Sequence, residues 1–298
     1  MSQPSHHNQG SKRLAPAPGL YVVATPIGNA RDITLRALDL LAGAHVVACE
    51  DTRITGKLLS LHGISAKLTA YHDHNAARVR PALLARLARG EAVVLVSDAG
   101  TPLISDPGYR LVVEAREAGI AVTTAPGPSA LLAALTISGL PSDRFFFAGF
   151  LPPKRGPRRR ALERLVAIPG TLLLFESARR LTGALADMAA VLGPREAAVC
   201  RELTKLYEEV RRGALDSLAA HYKGAGPPKG EVVIVIAPPE AVAEDLDEEA
   251  IDGLLRETLA KASLRDTAAR VALATGLPRR RLYRRALEIV KPKDRGDP

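Results

Sequence analysis

From Leu20 onward, short apolar runs alternate with segments in which apolar residues recur every three or four positions. The short runs are typical of buried strands, and the longer segments are typical of amphipathic helices. In the first half, the predicted strands are 20–24, 45–49, 92–97 and 121–125, and the predicted helices are 34–41, 76–88, 109–118 and 129–138. This alternation predicts α/β architecture.

The pattern changes between Leu140 and Lys154, where prolines and three consecutive phenylalanines indicate a boundary. A second α/β unit follows, with predicted strands 145–149, 171–176, 197–201 and 231–236 and predicted helices 158–168, 181–192 and 215–221. Beyond Pro239, three more helices are predicted over 251–262, 264–274 and 279–290. We therefore predict a flexible tail (1–18), an N-terminal α/β domain (19–138), a C-terminal α/β domain (139–239) and a helical appendage (240–298).

Composition narrows the protein class. The 298 residues are 47% hydrophobic and 24% charged, which excludes a mainly disordered chain. The sequence has no apolar stretch of membrane-spanning length and no signal-peptide pattern, so we expect a cytoplasmic protein without a membrane partner. Cys49 and Cys200 are far apart in the sequence and each ends an apolar run, which predicts reduced, buried thiols.

Positive charge is concentrated at the C-terminus. The whole chain carries +9, while residues 256–298 contain twelve basic and five acidic side chains, a net charge of +7. A helix, a turn at Thr275-Gly276-Leu277-Pro278 and a basic helix are typical of a helix-turn-helix reader of nucleic acid, although a helical cap with a solvated charged face fits equally. A second basic run, 154–164, predicts either pairing with several phosphates or one charged face of a solvated helix. The predicted nucleic-acid-binding residues in the two basic segments are Lys154, Arg155, Arg158, Arg159, Arg160, Arg279, Arg280, Arg281, Arg284 and Arg285.

Three predicted strands end in loops suited to a ligand. Residues 24–29 lack the G-x-G-x-x-G pattern of dinucleotide sites, and the chain has no P-loop motif. Residues 97–108 include two Gly, two Pro and two Asp, which predicts either a rigid ligand-binding loop or two turns capped by Asp. In the third loop Ser129 is placed as a helix cap, and a nucleophile elbow is disfavoured because Leu131 replaces the second Gly.

Polar clusters follow other strands, at 50–53, 71–75, 175–180 and 200–205. His72 and His74 have no further Cys or His cluster beside them, so substrate contact or loop capping is preferred and no metal is expected. Lys205 and Glu202 are candidates for handling a proton.

These ordered motifs resemble the tetrapyrrole (corrin/porphyrin) methylase superfamily of S-adenosylmethionine-dependent methyltransferases, and within it the branch that modifies ribosomal RNA. The resemblance runs from about Gly19 to Pro238. The generic superfamily loop reads Gly-Asp-Pro where this chain has Ala99-Gly100-Thr101-Pro102, a departure that matches the RNA-modifying branch. The motifs are Thr25-Pro26-Ile27-Gly28-Asn29, Glu50-Asp51-Thr52-Arg53, Tyr71-His72-Asp73-His74-Asn75, the 97–108 loop, Pro126-Gly127-Pro128-Ser129-Ala130, Phe175-Glu176-Ser177 and Arg201-Glu202-Leu203-Thr204-Lys205.

The resemblance implies a two-domain tetrapyrrole-methylase fold with a helix-turn-helix-like appendage, and S-adenosylmethionine bound in the cleft between the domains of a homodimer. It implies methyl transfer to a cytidine ribose 2′-hydroxyl in the decoding region of small-subunit (16S) ribosomal RNA, either as RNA or within the 30S subunit. The implied cofactor contacts are Pro26, Asp98, Ala99, Gly100, Leu103, Ile104, Ser129 and Ala130.

The sulfonium is already an activated electrophile, so the protein must align the hydroxyl and remove its proton. Lys205, Glu202 and Asp98 are the candidate bases, and Lys205 qualifies only if cationic or apolar surroundings lower its pKa. Two other functions remain open: methylation of a tetrapyrrole, which the basic surfaces disfavour, and a non-catalytic role in RNA binding or ribosome assembly, which the intact cofactor loops disfavour.

Overall fold

The computed structural model describes residues 16–239, 248–275 and 277–290. It contains two five-stranded sheets with their helices and a group of three C-terminal helices. Most of the predicted tail therefore lies outside the described residues, as does the segment 240–247. Cys49 and Cys200 are free and buried, as predicted. Within the described ranges, no helix is long and apolar enough to cross a membrane.

The first sheet is parallel throughout, with strand order β3-β2-β4-β1-β5. Successive residues of a strand face opposite sides, so Val47 packs with the core on one face and Val46 with the core on the other. Helices cover both faces of the sheet. Because the strands are parallel, their carboxyl ends lie at the same edge. The elements are β1 (Gly19–Val23), α1 (Leu35–Gly43), β2 (Val46–Cys49), α2 (Thr52–Leu61), β3 (Leu68–Ala70), α3 (Ala76–Ala88), β4 (Ala92–Leu95), α4 (Tyr109–Glu117) and β5 (Val122–Ala125).

The second sheet is mixed, with strand order β6-β7-β10-β8-β9. β6 runs parallel to β7, whereas β10 is antiparallel to both of its neighbours and β9 is antiparallel to β8. Its elements, with the helix that precedes it, are α5 (Ala130–Ser138), β6 (Phe145–Phe150), α6 (Arg155–Glu163), β7 (Thr171–Ser177), α7 (Leu181–Leu192), β8 (Glu196–Arg201), β9 (Glu209–Ala214), α8 (Leu215–Ala225) and β10 (Glu231–Ile236).

Helix α5 packs on the second sheet, although the sequence prediction placed it in the first domain. Leu131 and Leu135 of α5 share a core with Leu173 of β7 and Val235 of β10. The helix is apolar around most of its circumference, so its sequence does not indicate which sheet it covers. The predicted boundary after residue 138 therefore separates α5 from the sheet it packs against.

The three C-terminal helices form their own small core. They are α9 (Glu248–Leu259), α10 (Leu264–Thr275) and α11 (Arg279–Val290). Leu255 of α9, Val271 of α10 and Leu282 of α11 are buried together. The bounds of α11 are those predicted, while α9 begins and ends three residues earlier than predicted.

Candidate active site

The loops that follow β1, β4 and β5 are hydrogen-bonded to one another. The Thr25 amide donates to the Gly100 carbonyl at 2.9 Å, and the Gly100 amide donates to the Thr25 carbonyl at 3.0 Å. The Thr101 hydroxyl donates to the Pro128 carbonyl at 3.1 Å. Three sequence motifs that are far apart along the chain therefore form one continuous surface at the carboxyl edge of the first sheet.

Two loops of the described chain contain non-glycine residues with strained backbone conformations. Among the described non-glycine residues, only Leu103, Ser105, Glu202 and Thr204 have φ in the left-handed region. The first two lie in the 97–108 loop and the other two follow β8. Strained residues persist only where the surrounding structure holds them in place, and they are found most often at functional sites.

A cavity of about 690 Å³ lies between the loops of the first sheet and the second sheet. Its size is within the range of small-molecule sites. One wall comes from the loops after β1, β4 and β5, and the other from the ends of β7 and β8 and the segment that enters β10. Of the predicted cofactor contacts, the residues that line the cavity are Ala99, Gly100, Ile104, Ser129 and Ala130.

The other three predicted cofactor contacts, Pro26, Asp98 and Leu103, do not line this cavity. The Asp98 carboxylate accepts a hydrogen bond from the Asp51 amide at 2.9 Å, which ties the end of β4 to the end of β2. Leu103 packs closely against Gly108. Pro26 precedes Ile27, whose side chain lines the cavity.

Lys205 is held between two carboxylates. Its Nζ lies 2.9 Å from Glu202 Oε1 and 2.9 Å from Glu231 Oε2. Burial acts to lower the pKa of Lys205, but the hydrogen bonds to Glu202 and Glu231 outweigh it and the pKa is raised. The surroundings that a lysine base requires, cationic or apolar, are therefore not those of Lys205 in this structure.

Glu202 binds both other members of this cluster, Lys205 and Glu231. Its Oε1 accepts hydrogen bonds from Lys205 and, at 3.0 Å, from the Glu231 amide, and these bonds lower the pKa of Glu202. Gly230 must be a glycine here, because its φ is +97° and a Cβ would collide with the Glu202 carboxylate. Glu202 is thus an ionised group that holds the loop, and it does not line the cavity.

The two α/β units touch where the loop after β1 meets the loop after β8. The Asn29 amide donates to Thr204 Oγ1 at 3.1 Å. A Cβ on Gly28 would lie 2.5 Å from Lys205 Cγ and 2.9 Å from Thr204 Oγ1. This contact forms one side of the cleft.

Acidic side chains gather at the ends of β2, β3 and β4. Asp106 lines the cavity, and its pKa is raised to about 6 by burial and by the negative charges of Glu50, Asp98 and Asp73, against a hydrogen bond from Ser97. In the described part of the chain, no group of three or more His, Cys, Asp or Glu side chains is arranged to hold a metal.

Aromatic and ionised side chains form the wall from the second sheet. The rings of Phe150 and Phe175 lie 5.3 Å apart, and both line the cavity. The buried Glu176 carboxylate accepts from Arg180 Nη2 and from the Ser177 amide, each at 2.7 Å. The sequence indicated this cluster as part of a shared cleft.

The segment 228–233 was not among the predicted site residues, whereas the 97–108 loop indicated Asp106, with Asp98, as a candidate acceptor for an ammonium or ribose hydroxyls. The segment lines the cavity where the chain enters β10. Its sequence signal is the run Gly226-Pro227-Pro228-Lys229-Gly230 immediately before a strand, which is comparable to the loops of the first sheet.

The predicted RNA-binding residues of α6 differ in availability. Arg158 is buried and its Nη2 lies 2.6 Å from the buried carboxylate of Asp187, so this guanidinium does not reach a surface phosphate. Arg159 and Arg155 bind the same carboxylate at 2.8 and 3.3 Å. The side chains that remain exposed are Lys154, Arg155 and Arg160.

On α11, the predicted residues divide in the same way. Arg285 is part of the helix packing, because its Nε lies 2.7 Å from Asp252 of α9 and its Nη1 lies 3.1 Å from Glu288. Leu282 and Ala286 point into the core of the three helices. The exposed basic residues of α11 are Arg279, Arg280, Arg281 and Arg284.

Comparison with known proteins gives two family matches and close relatives. The family Tetrapyrrole (Corrin/Porphyrin) Methylases matches residues 19–219, and the RsmI C-terminal HTH domain matches residues 244–289. Ribosomal RNA small subunit methyltransferase I of Mesorhizobium japonicum is 54% identical over 94% of this chain and 95% of its own length. The protein of the same name from Escherichia coli O157:H7 is 47% identical over 90% of this chain and 94% of its own.

A solved structure shares the fold. Uroporphyrin-III C-methyl transferase from Thermus thermophilus, crystallised with S-adenyl homocysteine, superposes with a TM-score of 0.52 at 23% identity. The match covers 74% of this chain and 97% of that one. At this identity, the likeness concerns the arrangement of the two sheets and their helices.

Proposed function

Because the chain belongs to the tetrapyrrole (corrin/porphyrin) methylases, we propose that it transfers the methyl group of S-adenosylmethionine to small-subunit (16S) ribosomal RNA. The acceptor in this proposal is the 2′-hydroxyl of a cytidine ribose in the decoding region. The observation that carries the proposal is the 54% identity, over nearly the full length of both proteins, to a relative named ribosomal RNA small subunit methyltransferase I.

The residues around the cavity suit S-adenosylmethionine, which supplies an electrophilic methyl group on a sulfonium when bound. A cavity of about 690 Å³ accommodates a nucleoside with an amino-acid arm. Of the carboxylates in the described lining, Glu176 and Glu231 are in ion pairs and Asp106 is not, so the negative charge of Asp106 is available to attract a sulfonium. Arg179 offers a partner for a carboxylate, and Ile27 and Val233 offer apolar surface for a purine.

In this proposal, the first-sheet loops hold the cofactor mainly through backbone groups. Ala99, Gly100, Ile104, Ser129 and Ala130 contact it directly. Pro26, Asp98 and Leu103 support these loops from behind, Asp98 through its bond to the Asp51 amide. Lys205 and Glu202 then fix the contact between the two units and do not move the proton, because the Lys205 ammonium is paired with both the Glu202 and the Glu231 carboxylates.

We assign RNA docking to the exposed basic side chains of α11 and to Lys154, Arg155 and Arg160. Arginine and lysine bind phosphates without reading sequence, so these surfaces supply affinity and the cavity supplies selectivity. The match of residues 244–289 to a helix-turn-helix domain supports this role for the appendage. With ribosomal RNA as its substrate, the proposed site of action is the cytoplasm.

We propose that the active form is a homodimer. Large apolar side chains are exposed on α5, on β6 and between β8 and β9, including Leu132 at 52%, Phe146 at 43% and Leu206 at 88% exposure. Exposed apolar surface of this kind marks association sites. Sedimentation velocity should give twice the 31.6 kDa chain mass, and a monomer at micromolar concentration would contradict the proposal.

The function is tested by incubating the full chain with radiolabelled S-adenosylmethionine and unmethylated 30S subunits, and in parallel with naked 16S RNA and with a precorrin-type tetrapyrrole. Digestion to nucleosides then locates the label. Label on the ribose of one decoding-region cytidine is the expected result. Label only on the tetrapyrrole, or RNA binding without any transfer, would replace the proposal with methylation of a tetrapyrrole or with a non-catalytic RNA-binding role.

A further inference from the structure

Among the described residues, one cavity carboxylate has no cationic partner. Of the three carboxylates that line the cavity, Glu176 is paired with Arg180 and Glu231 with Lys205. For the third, Asp106, no ion pair with a cation is found among the described residues. A carboxylate that carries no structural charge pair at the cavity wall is free to accept a proton.

The other cavity groups cannot take this role. Cys200 lines the cavity, but burial raises its pKa to about 11, so it is a neutral thiol. Arg179 is a guanidinium, which does not deprotonate in proteins, and Lys229 is an exposed ammonium, which donates hydrogen bonds and has no lone pair to accept a proton. The described cavity lining includes no histidine.

From this position, and on the basis of the function proposed above, we infer that Asp106 is the general base that removes the proton of the ribose 2′-hydroxyl. In this step the 2′-oxygen forms a bond to the methyl carbon while the methyl–sulfur bond breaks and its electron pair goes to sulfur. The sulfonium becomes a neutral thioether, the hydroxyl proton moves to the Asp106 carboxylate, and water later takes it. Charge and atoms balance without another reactant.

The loop around Asp106 has the features of a held catalytic group. Ser105, the preceding residue, has φ of +67°, and Gly108 has φ of +134°, where a Cβ would lie 2.7 Å from both Leu95 and Leu103 side chains. The backbone on both sides of Asp106 is therefore held in conformations that the packing requires. Cavity residues of the second unit, Phe150 and Phe175, form the opposite wall, where an acceptor nucleotide has a ring surface to lie against.

The charges around Asp106 suit a base that works near neutral pH. Glu50 from the end of β2, Asp73 from the end of β3 and Asp98 from the same loop are negative, and Ser97 is a hydrogen-bond partner. The other charged groups of the described lining are Glu176, paired with Arg180, Glu231, paired with Lys205, and the cations Arg179 and Lys229. Burial with these negative charges gives Asp106 a pKa of about 6, so it is ionised at neutral pH and more basic than an ordinary aspartate.

The test compares Asp106→Asn, Asp106→Glu and the control Asp39→Asn, an exposed aspartate on α1. Single-turnover methylation of 30S subunits is measured from pH 5 to 9 with both substrates saturating, and S-adenosylhomocysteine binding is measured by calorimetry. General-base catalysis contributes about 10²–10⁴-fold, so Asp106→Asn should lose about that much rate and its fall in rate below about pH 6 should vanish. Affinity for S-adenosylhomocysteine should stay within about threefold of wild type, and Asp106→Glu should recover part of the rate together with the acid limb.

The outcomes are distinguishable. If wild type methylates 30S subunits and Asp106→Asn does so at an equal rate, Asp106 is not the base. If Asp106→Asn loses affinity for S-adenosylhomocysteine by the same factor as rate, Asp106 is a cofactor contact and the inference is wrong. If wild type itself transfers no methyl to ribosomal RNA, the proposed function is wrong and this inference is overturned with it. Thermal unfolding of each variant shows that the rates refer to folded protein.

Discussion

The side chain of Lys205 lies directly over Gly28, so close that a Cβ on Gly28 would be 2.5 Å from Lys205 Cγ. These residues belong to different α/β units and are far apart in the sequence. The stem of the lysine covers the loop after β1, while its ammonium binds Glu202 and Glu231. A residue that the sequence indicated as a base is therefore part of the contact that closes the cleft.

Substitution Gly28→Ala should open this contact. The methyl group would meet Lys205 Cγ, which lies near the backbone and cannot move without moving the loop. We expect affinity for S-adenosylhomocysteine to fall by about tenfold or more, since displacement of a site by about 1 Å has large effects. Calorimetry of the variant checks this.

The control is Gly56→Ala in α2, where a Cβ meets only Leu68 at 3.7 Å. This substitution should raise the free energy of unfolding by up to about 1 kcal/mol, because alanine has the higher helix propensity. Unchanged affinity in Gly28→Ala would show that the contact is not part of the binding site.

The cofactor loops could be predicted because their signals are local. Each is a run of Gly, Pro and small polar residues at the end of an apolar strand, and parallel strands bring such ends to one edge. The surroundings of Lys205 could not be predicted in this way. Glu231 lies 26 residues away and reaches Lys205 only because β10 pairs with β8 in a register that places Val232 opposite Arg201.

The roles of the two aspartates in the 97–108 loop show the same limit. Composition marks both as ligand candidates, but Asp98 accepts from the Asp51 amide while Asp106 lines the cavity. Ser105, which lies between the two aspartates in the sequence, has a left-handed φ. The sequence pattern does not predict this backbone conformation. Strand β9 was missed for a related reason: it is an edge strand with Arg211 and Arg212 in its centre, and charged edge strands lack the apolar alternation of a buried strand.

The raised pKa of Asp106 also predicts a pH-dependent gain in stability for Asp106→Asn. An acid whose folded pKa is about 6, above its unfolded value of about 4, favours the folded state when protonated, and wild type loses this contribution as pH rises from about 4 to 6. The asparagine variant lacks this loss. We expect it to be more stable than wild type by about 1–2 kcal/mol at pH 7.5, after allowance for solvent screening, with no gain at pH 4. Urea unfolding at the two pH values tests this, with Asp39→Asn as the control. An equal difference at both pH values would contradict the shifted pKa.

Asp187 should be essential for the stability of the second unit. Its carboxylate is 3% exposed and binds Arg158, Arg159 and Arg155. Burial alone would raise the pKa of Asp187, but the arginines lower it, so Asp187 is ionised. Asp187→Ala leaves the buried guanidinium of Arg158 without a countercharge, and a loss of about 3–5 kcal/mol is expected in urea unfolding at pH 7. The double variant Asp187→Leu/Arg158→Leu, which removes both buried charges, should recover part of this loss. If the double variant is no more stable than Asp187→Ala, the buried charge is not the cause.

The exposed face of α11 should control the salt dependence of RNA binding. Arg280 and Arg284 are four positions apart on this helix and both are exposed, so they lie on one face and can contact neighbouring phosphates. Each phosphate contact contributes about 0.7–0.9 to the slope of log affinity against log salt concentration. In Arg280→Gln/Arg284→Gln, binding to 16S RNA should weaken, and the slope measured from 50 to 300 mM KCl should fall by about 1.5. Affinity for S-adenosylhomocysteine should not change, because the cavity lies in the two α/β units.

The matched control, Arg110→Gln/Arg116→Gln, removes two exposed arginines at the start and end of α4 and should leave the slope near that of wild type. Equal slopes for the two double variants would assign the salt dependence to net charge, and RNA docking would then not depend on α11.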